Sequence, residues 1–115
     1  DTPDGTGIRD YVHVMDLVDA HVLGLKWLGD GKPSRVFNLG TGHGFSVREV
    51  IDQSASVTNQ KVPYQEGPRR AGDCTKLVSG SSRATQELGW KASRSTLATM
   101  IADAWGWHKA GAYER

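Results

Sequence analysis

The chain has 115 residues, with 37% of them from the AVILMFWYC set and 14 glycines, enough for one small domain with a modest core. Fourteen basic and 13 acidic residues leave a net charge of +1, which gives no broad electrostatic footprint for nucleic acid or an anionic membrane surface. Cys74 is the single cysteine, so an internal disulfide and zinc-finger spacing are both excluded.

In chain order, Asp4-Gly5-Thr6-Gly7 reads as a turn and Tyr11–Val14 as a short strand, from its aromatic and β-branched content. Asp16 is placed to cap a helix, with Asp19 adding favourable charge in the first turn. Leu17, Ala20, His21, Gly24, Leu25 and Leu28 share one face of that helix, and Val18 and Val22 widen it, so the expectation is a well-buried helix. Gly24 costs about 1 kcal/mol against alanine at mid-helix, which points to close packing against another backbone. Gly29-Asp30-Gly31-Lys32-Pro33 ends it.

Val36–Leu39 reads as a buried strand, followed by Gly40-Thr41-Gly42-His43-Gly44. Ser46 and Glu49 then form a capping box that opens a helix carrying Val47, Val50, Ile51 and Val57. Val62–Gln65 reads as an edge strand because of Pro63, and Lys76–Ser79 as another extended piece. Ser81 or Ser82 is placed to cap a short helix ending at Leu88, with Gly89 at the left-handed stop. A last helix from Thr96 sets Leu97, Ile101, Ala104, Trp105 and His108 on one face. The alternation implies an α/β fold class, a small layered domain of short strands and about four helices.

Few residues invite chemistry. The Gly40-x-Gly42-x-Gly44 run departs from a dinucleotide fingerprint, because Phe45 stands where the third glycine belongs. Gln60 and Lys61 stand where the acidic partner belongs. A tight turn between strand and helix is the better reading. In Pro68-Arg69-Arg70-Ala71-Gly72-Asp73 the guanidinium forks suit the oxygens of a diphosphate, and Asp73 suits a sugar hydroxyl. Arg9 alone would be read as a surface ion pair with Asp10 or Asp4. His13, His21, His43 and His108 show no metal-ligand spacing, and no catalytic residue or cofactor or metal site is assigned within the chain. His21 and His108 read as hydrogen-bonded structural residues.

Gly5-Thr6-Gly7-Ile8-Arg9-Asp10-Tyr11-Val12-His13-Val14-Met15-Asp16-Leu17, Phe37–Gly42, Pro68–Asp73 and Glu87-Leu88-Gly89-Trp90 closely resemble segments of UDP-glucose 4-epimerases, in the extended short-chain dehydrogenase/reductase family. Order and intervals agree over nearly the whole chain. The resemblance implies that Arg9 and Arg70 hold the diphosphate of a UDP-sugar and that Asp73 bonds its ribose. It further implies that the full-length enzyme is an isomerase that uses tightly held NAD to interconvert UDP-glucose and UDP-galactose by oxidation and reduction at sugar C4. The family's Tyr-x-x-x-Lys is not found: Met15 follows Tyr11 at that interval, Pro68 follows Tyr64, and Tyr113 stands too near the end. Residues 1–115 are therefore expected to be the carboxy-terminal nucleotide-sugar-binding part of such an enzyme, inactive alone and without its cofactor domain. The turn-forming start without Met accords with a piece of a longer chain. Ser79-Gly80 departs from the Ala-Asp common in relatives and removes a usual helix cap. Alternatives are an inactive stand-alone binding or scaffold module, and another nucleotide-sugar dehydratase or decarboxylase. A cytoplasmic setting, no membrane or nucleic-acid partner, and homo-oligomer formation through exposed apolar faces complete the expectations.

Overall fold

The computed structural model describes residues 2–111; Asp1 and Tyr113 lie outside the described residues. The elements in order are β1 (Ile8–Arg9), α1 (Val14–Gly29), β2 (Phe45–Ser46), α2 (Val47–Thr58), β3 (Lys76–Leu77), a π-helical turn (Ala84–Leu88) and α3 (Leu97–Lys109). The sheet has the order β2-β1-β3. β1 runs antiparallel to β2, with Ile8 opposite Ser46, and parallel to β3, with Ile8 opposite Lys76. It is a small α/β arrangement with four helical segments and a short mixed sheet.

Three expected strands are absent. Tyr11–Val14 lies beyond the ladder, because β1 ends at Arg9 and Asp10 turns its carboxylate onto the 40–42 turn. Val36–Leu39 and Val62–Gln65 have strand-like composition but no ladder partner among the described residues. The extended piece at Lys76–Ser79 is a strand over its first two residues.

The best local signal, the capping box, forms as expected: Ser46 Oγ accepts from the Glu49 N–H at 3.1 Å, and the Glu49 carboxylate accepts from the Ser46 N–H at 2.7 Å. Asn59, at φ 51°, closes α2 in the left-handed region. Thr96 caps α3 through its side chain. Two expected caps are corrected. His13, not Asp16, caps α1, its Nδ1 accepting from the Met15 N–H at 3.0 Å. Neither Ser81 nor Ser82 caps the turn at Ala84–Leu88, where Arg83 takes the cap position without a side-chain bond; Ser81 offers its carbonyl to the Thr85 N–H instead. Gly89 does stand in the left-handed conformation, at φ 70°.

Asp16 is fully buried instead. It accepts from the Arg94 and Ser95 segment: the Arg94 N–H at 3.0 Å, Ser95 Oγ at 2.6 Å and the Arg94 guanidinium at 3.4 Å. This joins the start of α1 to the start of α3. His13 adds a second tie, with Nε2 at 3.0 Å from the Asp103 carboxylate of α3. Because Nδ1 accepts from Met15, Nε2 carries the proton and donates. His21 is structural as expected, its Nδ1 donating to the Leu17 carbonyl at 2.7 Å.

The core is small: Ala20, Ala84 and Trp90, with Val12, Leu23, Phe37, Leu39, Leu88 and Ala92 packed against them. The expectation of a well-buried α1 fails: Val22 is 61% and Leu25 73% exposed, with Val18 and Leu28 also exposed. A Cβ on Gly24 would meet no atom within 4 Å, so no backbone packs against it. The apolar face of α1 is real, but no layer among the described residues covers it. The radius of gyration, 16.9 Å, exceeds the ~13 Å of a compact domain of about this size. The accessible surface of 8339 Å² likewise exceeds the ~6200 Å² usual for a monomer of 12.5 kDa. Among the described residues no helix is long and apolar enough to cross a membrane.

Candidate functional site

The sheet places the three residues singled out in the sequence beside one another. Arg9 ends β1 and Asp73 precedes β3, and because these strands are parallel neighbours, the two side chains meet. Arg9 Nη2 lies 4.0 Å from Asp73 Oδ1. Arg70 Nε donates to Asp73 Oδ2 at 3.1 Å, and its side chain is 87% exposed. One carboxylate thus stands between two guanidiniums from distant segments. The reading of Arg9 as an ion pair with Asp10 or Asp4 is displaced by this arrangement: Asp10 faces Thr41, Gly42 and Ser79, and Asp4 faces Thr6 and Ser46.

Local chemistry holds Arg9 in place. Its Nη1 donates back to the Ile8 carbonyl at 2.9 Å. A Cβ on Gly7 would come within 3.2 Å of that same nitrogen, so the glycine leaves room for the guanidinium to fold over the backbone. On the other side, Arg48 at the start of α2 donates to Tyr64 Oη at 2.8 Å and pairs with Glu66. These two residues lead into the Pro68–Asp73 loop, which is thereby tied to α2. Arg9, Arg48, Tyr64, Arg69 and Asp73 all line one cleft of about 350 Å³.

The glycine-rich run at 40–44 is a turn between extended chain and helix, and its central donors are already engaged. The Thr41 and Gly42 N–H groups and the Thr41 hydroxyl all donate to the Asp10 carboxylate, which also accepts from the Ser79 N–H. A Cβ on Gly40 would lie 2.5 Å from the Ser79 carbonyl oxygen, so only glycine permits this approach. Burial alone would raise the Asp10 pKa, but the bonds from Thr41, Gly42 and Ser79 outweigh it and hold the carboxyl below its ordinary value. A carboxyl so depressed adds stability that is complete above its unfolded pKa and is lost as pH falls through the folded one. Asp10→Asn is therefore expected to lower the urea midpoint at neutral pH. Its deficit relative to wild type should shrink as the pH drops from about 5 to about 2. A deficit that stays constant over that range would remove Asp10 from the acid-sensitive groups.

Sequence reasoning missed Asp10 as the latch of the 40–42 turn, Arg48 as the tie of the basic loop, and Asp16 as a buried hub. Only the position of Asp10 directly after Arg9, inside a quoted motif, was a signal; the other two depend on partners far along the chain.

The comparisons with known proteins identify the family and the fold. The family model described as GDP-mannose 4,6 dehydratase matches residues 2–104, and the chain belongs to that family. Its relatives within it are UDP-glucose 4-epimerases. That of Lacticaseibacillus casei is 48% identical over 108 residues, covering 94% of this chain and 33% of the relative. The crystal structure of a UDP-glucose-4-epimerase from Stenotrophomonas maltophila, with bound NAD and formylated UDP-arabinopyranose, superposes with a TM-score of 0.90 at 46% identity; the match covers 99% of this chain and 34% of the other. The UDP-glucose 4-epimerase of Bifidobacterium longum, in complex with NAD+ and UDP, gives 0.85 at 41% identity, covering 97% and 33%. The chain thus spans about a third of the length of the relatives it matches.

Proposed function

We propose that the full-length protein is a UDP-glucose 4-epimerase interconverting UDP-glucose and UDP-galactose, and that residues 1–115 are its carboxy-terminal, nucleotide-sugar-anchoring part. The observation that carries this reading is the Arg9–Asp73–Arg70 cluster: two guanidiniums and one carboxylate joined on adjacent parallel strands and the loop before them. Arg9 and Arg70 supply planar forks for the diphosphate oxygens, and Asp73 accepts from a ribose hydroxyl. Epimerisation at C4 requires the sugar to present both faces in turn. Anchoring through remote, non-reacting phosphates lets the hexose rotate without release, and that binding energy orients the reacting carbon.

NAD supplies reversible hydride acceptance in such an enzyme. The residues described here do not fit it: in the glycine-rich turn at 40–44 Phe45 stands where a third glycine belongs, and the Thr41 and Gly42 N–H groups are engaged by Asp10. The cofactor and the acid–base residues belong to the remaining two-thirds of the protein. The bare face of α1, the excess accessible surface and the Val36–Leu39 segment, which has no ladder partner among the described residues, all support a neighbouring layer from that part. Alone, the chain is expected to show no turnover and to self-associate through these faces. The free, exposed Cys74 suits the reducing cytoplasm.

Calorimetry with UDP on the full-length protein tests the reading. Arg70→Ala is expected to weaken binding by about 1.5–3 kcal/mol, as for hydrogen bonds to charged groups. Unchanged affinity would take Arg70 out of the site.

A further inference from the structure

We propose that Arg69 is a third anion-holding residue, reaching a nucleoside diphosphate from the wall of the cleft alongside Arg9 and Arg70. This rests on the nucleotide-anchoring reading above and extends it to a residue to which the resemblance assigns no role. Residues 69 and 70 lie in the loop that precedes β3, outside any helix or strand. Their surroundings differ. Arg69 lines the 350 Å³ cleft together with Arg9 and Asp73, whereas Arg70 is 87% exposed and bonds the Asp73 carboxylate.

The other charged groups of the cleft already have partners. Asp4 accepts from Ser46 and Thr6, Arg48 is paired with Glu66 and bonded to Tyr64, and Arg9 is held by the Ile8 carbonyl beside Asp73. Arg69 has no ion pair or hydrogen bond among the described residues. Its guanidinium can turn a two-donor edge to an arriving anion without giving up an existing partner. A diphosphate carries non-bridging oxygens all round its two phosphorus atoms. Arg69 and Arg9 from the cleft wall, and Arg70 from beside Asp73, can therefore close on one ligand.

The test is a titration of the full-length protein with UDP and with uridine, which lacks the phosphates, for wild type, Arg69→Ala, Arg69→Lys and Arg70→Ala. Arg69→Ala is expected to weaken UDP by about tenfold or more and to leave uridine unchanged, with Arg69→Lys recovering part of the loss. If Arg70→Ala weakens UDP while Arg69→Ala stays within about twofold of wild type, the role of Arg69 is overturned and the anchoring reading stands. Equal loss for UDP and uridine in Arg69→Ala would also overturn it, since the loop would then be acting through its shape. Failure of the wild type to bind UDP would overturn the anchoring reading and this inference together.

Discussion

Trp90→Ala is expected to destabilise the fold by about 4 kcal/mol, the largest effect of any single truncation in this chain. Trp90 is 1% exposed and is the one large side chain in the buried cluster with Ala20 and Ala84. Its indole N–H donates to the Asp16 carbonyl at 2.7 Å, and its own backbone N–H donates to the Ala84 carbonyl. One residue thus fills the core, gives the Asp16 carbonyl a second donor and closes the π-helical turn behind Gly89. Its loss leaves a cavity that the two alanines cannot collapse into and removes that second bond. Urea unfolding followed by far-UV circular dichroism should show a much lower midpoint. A loss of less than about 1 kcal/mol would mean that the cluster is not the core.

The second large effect is expected at Asp16. Asp16→Ala removes a buried carboxylate that takes bonds from the Arg94 N–H, the Arg94 guanidinium and the Ser95 hydroxyl. Arg94 keeps a second partner in Asp19 at 2.6 Å and is half exposed, so its charge is not stranded. The cost falls on the Arg94 N–H and the Ser95 hydroxyl, each left without its acceptor. A loss of about 3 kcal/mol follows from two or three bonds to a charged group in a buried place. Because these bonds join α1 to α3, hydrogen exchange at the start of both helices should rise together. A rise confined to α1 would show that Asp16 serves only its own helix, as a simple cap would.

How far these features could be read in the sequence depended on the distance to the partner. Ser46 and Glu49 are three residues apart, and their box forms as written. The stop at Gly89 is equally local and was legible. Asp16 has the right chemistry for a cap but serves a donor set 78 residues away, so the cap fell to His13. Three of the four expected extended pieces were misplaced for the same reason, Lys76–Ser79 being the exception. The strands that form have two residues each, and pairing across the chain selected Ile8–Arg9 over the more strand-like Tyr11–Val14. The apolar stripe of α1 correctly marked a face that needs cover, but a stripe carries no information about which chain segment provides it.

The site was legible mainly through resemblance. Two adjacent arginines and a lone Arg9 carry weak signals in isolation, and spacing alone cannot bring them together. The parallel pairing of β1 with β3 does so physically, with Asp73 as the shared counter-charge. That Arg69 lines the cleft while Arg70 bonds Asp73 was beyond the sequence, because loop backbone between Gly67 and Gly72 sets both.

The central claim is that Arg9 and Arg70 close on a single diphosphate. The most direct measurement is a crystal structure of the full-length protein with UDP bound. The account predicts both guanidiniums within about 3 Å of the diphosphate oxygens and the Asp73 carboxylate on the ribose. UDP seated elsewhere, with Arg9 and Arg70 still engaged only by Asp73, would contradict it.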